Sequence, residues 1–269
     1  MKAKEEIIKS EEQFHDEWAS SIDPRQVLVD ESFTGSTSPE GAWIISMLGD
    51  LKGKRVLELG SGAGEGAVYL AKQGAQVTAT DLSTGMLEVV NKVAALHGVS
   101  VETRVASADD LSQFDANSFD VVYAANLLHH VDIAKCLDEV QRVLKPGGVG
   151  AFWDPVAHNP VINIYRRMAE GVRTPDEHPI KRSDMKLFKN RFSEVSTRFF
   201  WLTSLLVFVK FWLIDRIHPS ADRYWKLIIT REAELRPMVN KLMAMDRFIL
   251  RLLPILGWWC WNIAMIVRK

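Results

Sequence analysis

The chain has 269 residues of which 47% are hydrophobic, enough for one well-buried core without requiring a second domain. A formal net charge of −1 and the lack of a dense lysine or arginine stripe exclude the long-range attraction to polyanions on which nucleic-acid binders rely. Two cysteines, Cys136 in a helical pattern and Cys260 in a strand pattern, lack metal-ligand spacing and read as core thiols of a reducing compartment.

Met1 to Ser10 holds no sustained apolar run, so no secretory signal is expected and the location reads as cytoplasmic. From Lys4 to Ser20 the pattern is an amphipathic helix, with Ile7, Ile8, Phe14 and Trp18 broadly on one face. Ser36-Thr37-Ser38-Pro39-Glu40 then reads as the cap of a short helix through Trp43, Ile44, Ile45 and Leu48. Residues 1–50 are thus expected to form an N-terminal helical cap.

The stretch from Val56 to Gly66 is an apolar run that empties into alternating glycines and a helical pattern. Gly60, Gly62 and Gly64 clear a turn so that a ligand can lie against backbone N–H groups at a helix N-terminus. The dinucleotide fingerprint fits poorly: read from Gly60 its third position is Glu65, and read from Gly62 it begins beyond the strand. Glu58 discriminates further. A carboxylate at the strand tip repels a pyrophosphate but suits a ligand with an ammonium and a sulfonium, which is S-adenosyl-L-methionine.

Strands and helices alternate from here: strand 55–59, helix 65–73, strand 76–80, helix 84–97, strand 101–105, strand 119–124, helix 133–144 and strand 148–153. Strands joined by helical crossovers run parallel with helices on both faces, a doubly wound α/β sheet whose ligands bind beyond the carboxyl ends. Glu58, Asp81, Ser107 and Asn126 fall at those ends.

Glu58-Leu59-Gly60-Ser61-Gly62-Ala63-Gly64 resembles motif I of the class I S-adenosylmethionine-dependent methyltransferases of the type 11, UbiE-like kind. Gln76 to Asp81, Ser83-Thr84-Gly85-Met86-Leu87, Phe119 to Asn126 and Glu139 to Gly148 resemble the later motifs in order, over roughly residues 53 to 154. The resemblance implies a Rossmann-like sheet of seven strands, mostly parallel with an antiparallel last strand. It implies that Asp81 holds a ribose, that Leu82 and Met86 sandwich an adenine, and that the turn after the third strand meets the adenine amino group. Here that turn is Ala106-Ser107-Ala108-Asp109-Asp110, with serine where the family has an acid, so Ser107 or Asp109 supplies the contact. From the residues alone, Asp81 also reads as a helix N-cap. The N-terminal helix either closes over the cofactor, as in the resembling enzymes, or packs on the sheet edge.

Methyl transfer is an in-line displacement, in which positioning and exclusion of water carry most of the catalysis and a base is needed only where the acceptor loses a proton. His129 and His130, after the fourth strand, are the candidate catalytic residues, with Asp154 and His158 near the same end; the alternative is histidines that cap or pack. Loops from Asp154 to Pro160 and Arg173 to Pro179 could line an acceptor pocket, and Asp154, His158, Asp176 and His178 match no known metal-ligand spacing.

Six of the nine tryptophans lie after residue 200. Phe199–Ile214 is shorter than the roughly 20 residues a membrane span needs, and Phe248–Val267 is broken by Arg251, Pro254 and Asn262. The family resemblance implies instead that Phe192–Thr203 and Trp258–Val267 are the sixth and seventh strands, the seventh antiparallel at the sheet edge. The insertion between them reads as three helices, Leu205–Ile217, Ala221–Leu235 and Met238–Leu253, rich in Phe208, Phe211, Trp212 and other apolar side chains. It reads as a lid over an apolar acceptor, a membrane-interface patch, a dimer surface, or a unit that buries its own aromatics. The partition is 1–50 cap, 51–204 core with acceptor loops, 205–257 insertion and 258–269 last strand.

The expected activity is methylation of a small-molecule or lipid acceptor, O-methylation before C- or N-methylation. The competing readings are an S-adenosylmethionine-binding assembly or regulatory protein, and a nicotinamide-dependent oxidoreductase that Glu58 disfavours. Nucleic acid is an unsuited acceptor, since Ala125-Asn126-Leu127-Leu128 replaces the turn that holds a flipped base.

Overall fold

Arg55-Val56-Leu57-Glu58-Leu59 is buried after its first residue, as a strand covered on both faces must be. In the computed structural model, which describes residues 2–168, 177–220 and 224–269 with side chains from residue 9, this segment is β1 (Arg55–Leu59). It pairs in parallel with β2 (Gln76–Asp81) and β4 (Phe119–Ala125); β3 (Glu102–Val105) lies beyond β2, and β5 (Leu144–Pro155) beyond β4. β6 (Glu194–Phe200) and β7 (Asn262–Arg268) complete a seven-stranded sheet in the order β3-β2-β1-β4-β5-β7-β6.

The expectation of β7 at the sheet edge is corrected by this order. β7 is antiparallel to β5 on one side and to β6 on the other, and β6 is the edge. Asn262-Ile263-Ala264-Met265-Ile266-Val267 is buried throughout, whereas Glu194-Val195-Ser196-Thr197-Arg198 is mixed and mostly exposed. An unbroken apolar run needs cover on both faces, while a polar-interleaved one tolerates an edge. β7 begins at Asn262, because Pro254–Trp259 forms 3-10 turns, and Cys260 is a buried thiol just before the strand rather than within it.

The helices are α1 (Lys2–Ser20), α2 (Glu31–Thr34) and α3 (Pro39–Leu48) before the sheet, then α4 (Glu65–Lys72), α5 (Thr84–Leu96) and α6 (Ile133–Val143) as crossovers. α7 (Pro160–Met168) and α8 (Met185–Lys189) follow β5. One core, with Val56, Val121 and Ile266, covers the sheet face toward α3, α4 and α5. The other, with Leu57, Val122 and Met265, lies toward α6 and α8.

Between β6 and β7 the insertion comprises α9 (Leu206–Val209) running into a π-helical turn Lys210–Ile214, then α10 (Tyr224–Thr230) and α11 (Glu232–Leu252). The helix break falls at Arg231, not near Pro237, which lies inside α11. Pro237 lacks the N–H that would reach the carbonyl four residues back, and α11 continues on both sides of that missing bond. Ala221 lies outside the described residues. No described helix is long and apolar enough to cross a membrane.

Candidate active site

β1 delivers the chain into a turn whose glycines have different uses. At Gly62, φ is +48° and a Cβ would meet nothing within 4 Å, so the turn presents an open backbone face. At Gly60 a Cβ would instead stand 2.7 Å from Leu127 Cδ1, so this glycine admits a protein side chain.

Glu58 is buried behind the turn, and its Oε2 has no hydrogen-bond partner. Burial first, then the charge of Glu65, push its carboxyl well above the usual range. Asp81 accepts the Gly62 N–H and the Ser83 N–H, each at 3.0 Å, and burial raises its pKa as well. The cap of α5 is therefore Ser83, whose Oγ accepts the Met86 N–H at 3.0 Å and donates to Asp16 of α1 at 2.5 Å. Asp16 also takes the Gly85 N–H, which fastens α1 over the start of α5.

A cavity of about 330 Å³ opens on the other side of the glycine turn. Phe14, His15 and Trp18 of α1 line it, with Glu58 and the Gly60–Gly66 turn. Tyr123, Asn126, His129 and His130 close the β4 side, and Trp153, Pro155, Trp201, Trp261 and Asn262 the side of β5, β6 and β7. Asn126 adopts φ +51° and donates its N–H to Trp153 at 2.8 Å. Of the cofactor residues read from the sequence, Gly64, Asp81, Leu82, Met86, Ser107, Ala108 and Asp109 stand outside these walls: Asp81 ends β2 with Leu82 after it, Met86 lies in α5, and Ser107, Ala108 and Asp109 follow β3. Met86 is fully buried, and Ser107 donates to Asp109 at 2.6 Å, so these two candidates for the adenine contact engage each other.

The insertion contributes to the cavity through Trp225, Ile228 and Ile229 of α10 rather than through Phe208, Phe211 and Trp212. Phe208 is buried edge-on against Trp261 at 4.9 Å and Tyr224 at 5.2 Å, Phe211 is buried against Tyr224, and Trp212 is 48% exposed. Phe208 and Phe211 thus support the wall from behind.

The strongest polar constellation joins β4 to β5. Asp154 is fully buried, and its Oδ1 lies 2.6 Å from His129 Nδ1 while backbone N–H groups of Leu128 and His129 also donate to its carboxylate. Burial lifts the Asp154 carboxyl to about 7. His130 packs against His129 with ring centroids 4.1 Å apart and planes tilted by 40°, and faces Glu11 of α1 at 3.5 Å. Among the described residues, the group with metal-holding geometry is His129, His130 and Glu177, whose ligand atoms lie within 4.8 Å of one another. His158 packs edge-on to Trp258 away from the cavity lining, and Asp176 and Arg173 lie outside the described residues.

Glu40 is a site residue that the pattern hid. Ser38 makes no side-chain cap bond, and Glu40, instead of capping α3, accepts Asn262 Nδ2 at 2.7 Å at the start of β7. Burial raises its carboxyl to about 7.

The methyltransferase domain family profile matches residues 57–152. Ubiquinone biosynthesis O-methyltransferase of Xanthomonas oryzae pv. oryzae is 43% identical over 104 residues, which is 37% of this chain and 42% of that one. The same-named protein of Bordetella avium is 33% identical over 119 residues, 44% and 49% of the two chains. The chain thus spans about half the length of the curated relatives it matches. Among solved structures, phosphoethanolamine N-methyltransferase 2 of Haemonchus contortus, crystallised with S-adenosyl-L-methionine, is 22% identical with a TM-score of 0.55, over 84% of this chain and 51% of that one. The YcgJ protein of Bacillus subtilis is 21% identical with a TM-score of 0.54, over 87% and 97%. At these identities the structural likeness shows the fold alone, a mostly parallel seven-stranded α/β sheet.

Proposed function

We propose that this chain, whose residues 57–152 match the methyltransferase domain profile, is an enzyme that methylates a hydroxyl group of a small, largely apolar acceptor, with S-adenosyl-L-methionine as donor. The observation that carries this reading is the pairing of His129 with buried Asp154 on the wall of the cavity.

The cofactor reading rests on the chemistry of the donors present. Glu58, with an unpartnered buried oxygen, suits an ammonium; the open face at Gly62 suits close backbone approach; Asp81 suits ribose hydroxyls. Gly60, Gly64, Leu82, Met86, Ser107, Ala108, Asp109 and Asn126 complete the proposed set. When bound, S-adenosylmethionine supplies an electrophilic methyl on a sulfonium.

The chain's own residues do the rest. Asp154 accepts the Nδ1–H of His129, which fixes the tautomer and leaves Nε2, on the opposite edge of the ring, as the basic nitrogen. In this reading Nε2 takes the proton of the acceptor hydroxyl, and the positive charge that develops on the imidazole is balanced by Asp154. His130, packed against His129, is the second candidate. Trp18, Trp153, Trp225 and Trp261 exclude water from the reaction.

The ubiquinone biosynthesis O-methyltransferases among the relatives support a hydroxyl acceptor with an apolar body. Leu206, Trp212, Leu213 and Ile214, with Phe248, Leu252 and Trp259, are exposed on the insertion and suit peripheral contact with a membrane that stores such an acceptor. The test is turnover: release of S-adenosylhomocysteine with catechol as probe acceptor, in wild type and in His129→Ala. Saturable binding of S-adenosylmethionine with no transfer to any hydroxyl would favour a non-catalytic binding protein.

A further inference from the structure

The cavity holds an unusual balance of groups. Its described walls carry the carboxyl side chains of Glu40, Glu58, Glu65 and Glu177 and no lysine or arginine. Glu58 and Glu65 belong to the glycine turn and the helix after it, where a sulfonium and an ammonium are accounted for by the cofactor reading. Glu40 does not belong there. It projects from α3 to the opposite wall, where β6 ends and β7 begins, and its described partners are the Asn262 amide and Trp201, both neutral. A carboxylate 4% exposed, with no cation beside it among the described residues, is an expensive group to keep in a protein interior unless a ligand completes it.

A second observation points the same way. Asn262 Oδ1, Ser38 Oγ and Thr37 Oγ1 are buried at this end of the cavity with no hydrogen-bond partner, on residues 3%, 7% and 4% exposed. All of them can accept hydrogen bonds, and the indoles of Trp201 and Trp261 stand beside them with centroids 6.0 Å apart. Acceptor oxygens, one carboxylate and aromatic faces together make the chemistry that recognises an ammonium group.

We propose that Glu40, Asn262 and Trp201 form a cation subsite that takes an ammonium group carried by the methyl acceptor, so that the preferred substrates are hydroxyl-bearing amines. The inference rests on the reading of this cavity as the acceptor site. The raised carboxyl of Glu40 is the expected state of such a subsite without its cation. An acceptor with a carboxylate or phosphate at the same position meets the like charge of Glu40, with no described lysine or arginine in the walls to offset it, and is disfavoured.

The test is calorimetric binding, in the presence of S-adenosylhomocysteine, of three probes with one phenol ring and different tails: tyramine, para-ethylphenol and para-hydroxyphenylpropionate. The wild type is expected to bind tyramine roughly tenfold or more tightly than para-ethylphenol, and para-hydroxyphenylpropionate most weakly. Glu40→Gln should abolish that preference while keeping the para-ethylphenol affinity, and Glu40→Asp should restore part of it. If Glu40→Gln does not fold, Asn262→Asp, which adds a carboxylate at the same place, should increase the preference. A preference that survives Glu40→Gln, or one that Asn262→Asp fails to increase, overturns the subsite, as does equal binding of all three probes by the wild type, which leaves the acceptor cavity standing. Weakened S-adenosylhomocysteine binding in Glu40→Gln with an unchanged tyramine preference would assign Glu40 to the cofactor's own ammonium. Failure of every probe to bind would remove the acceptor reading itself.

Discussion

His129 Nδ1 and Asp154 Oδ1 meet at 2.6 Å at the ends of neighbouring parallel strands, in a pocket that leaves the carboxylate fully buried. If this pair generates the base, His129→Ala lowers kcat by roughly 10²–10⁴-fold and Asp154→Asn by a comparable factor. Burial lifts the Asp154 carboxyl to about 7, and in this reading it must be ionised to balance the imidazolium. The rate therefore rises as pH passes upward through that region and is level above it. A flat profile in the wild type, with full activity in both variants, would leave catalysis to positioning alone.

His129, His130 and Glu177 could instead gather around a cation, since their ligand atoms lie within 4.8 Å of one another. The base reading expects turnover to be unchanged after EDTA treatment and gel filtration. Activity lost to the chelator and restored by a divalent ion would reassign the three residues as ligands.

The open face at Gly62 separates it from Gly60 in a mutational test. Gly62→Ala places a residue at φ +48°, costing about 1–2 kcal/mol of stability, and puts a methyl group in the cofactor's approach. The expected result is a folded protein with S-adenosylmethionine affinity lower by roughly tenfold or more. Gly60→Val instead collides with Leu127 and should be the less stable of the two, a ranking that thermal melts check. Unchanged affinity in Gly62→Ala would remove the turn from the cofactor site.

Trp225 and Phe208 make a similar contrast within the insertion. Trp225 lines the cavity, so Trp225→Ala should raise the acceptor KM and leave the S-adenosylmethionine KM nearly unchanged. Phe208 is buried among Trp261, Tyr224 and Tyr165, so Phe208→Ala should cost about 3–5 kcal/mol of stability. Steady-state kinetics and denaturant melts read the two outcomes, and an unaltered KM in Trp225→Ala would place the acceptor elsewhere.

Glu40 gives a pH-dependent stability with a definite sign. Its carboxyl is raised from 4.5 to about 7, so between those values the folded protein holds more protons than the unfolded chain. Its contribution is fully present below the lower value and is lost as pH rises through the higher one. Glu40→Gln should therefore match the wild type near pH 4 and exceed it at pH 8, by up to about 3 kcal/mol. Parallel stability curves for the two proteins would show that the raised value is wrong.

The α/β frame was legible in the sequence because each of its parts is local. The glycine turn, the alternating strand and helix patterns and the acids at strand ends each depend on a few adjacent residues. Asp154 was visible as an acid near the right end, but its union with His129 depends on the β4–β5 register, which no periodicity encodes. Glu40 was hidden by its own context: Ser-Pro-Glu before an apolar run is a helix start, and only the approach of β7 turns it toward Asn262. β7 as an interior strand was available in principle, since six consecutive buried positions need two neighbours. Which aromatics of the insertion face the cavity was not legible, because burial behind a wall and exposure on it share the same composition.

The placement of β7 between β5 and β6 also fixes an order of events. Until β7 docks, β6 has no partner in the sheet, and β7 is joined to it only through the whole helical insertion. Trp201 and Trp261 sit at the two mouths of that loop, where the same closure brings them together. The cavity wall that Trp201 and Trp261 form therefore depends on the seating of β7 between β5 and β6, whereas the glycine turn follows β1 and does not. The length of the insertion is correspondingly unconstrained by strand register. Loops of different size could be spliced between these two tryptophans to change what the pocket admits while the frame that holds the methyl donor stays intact.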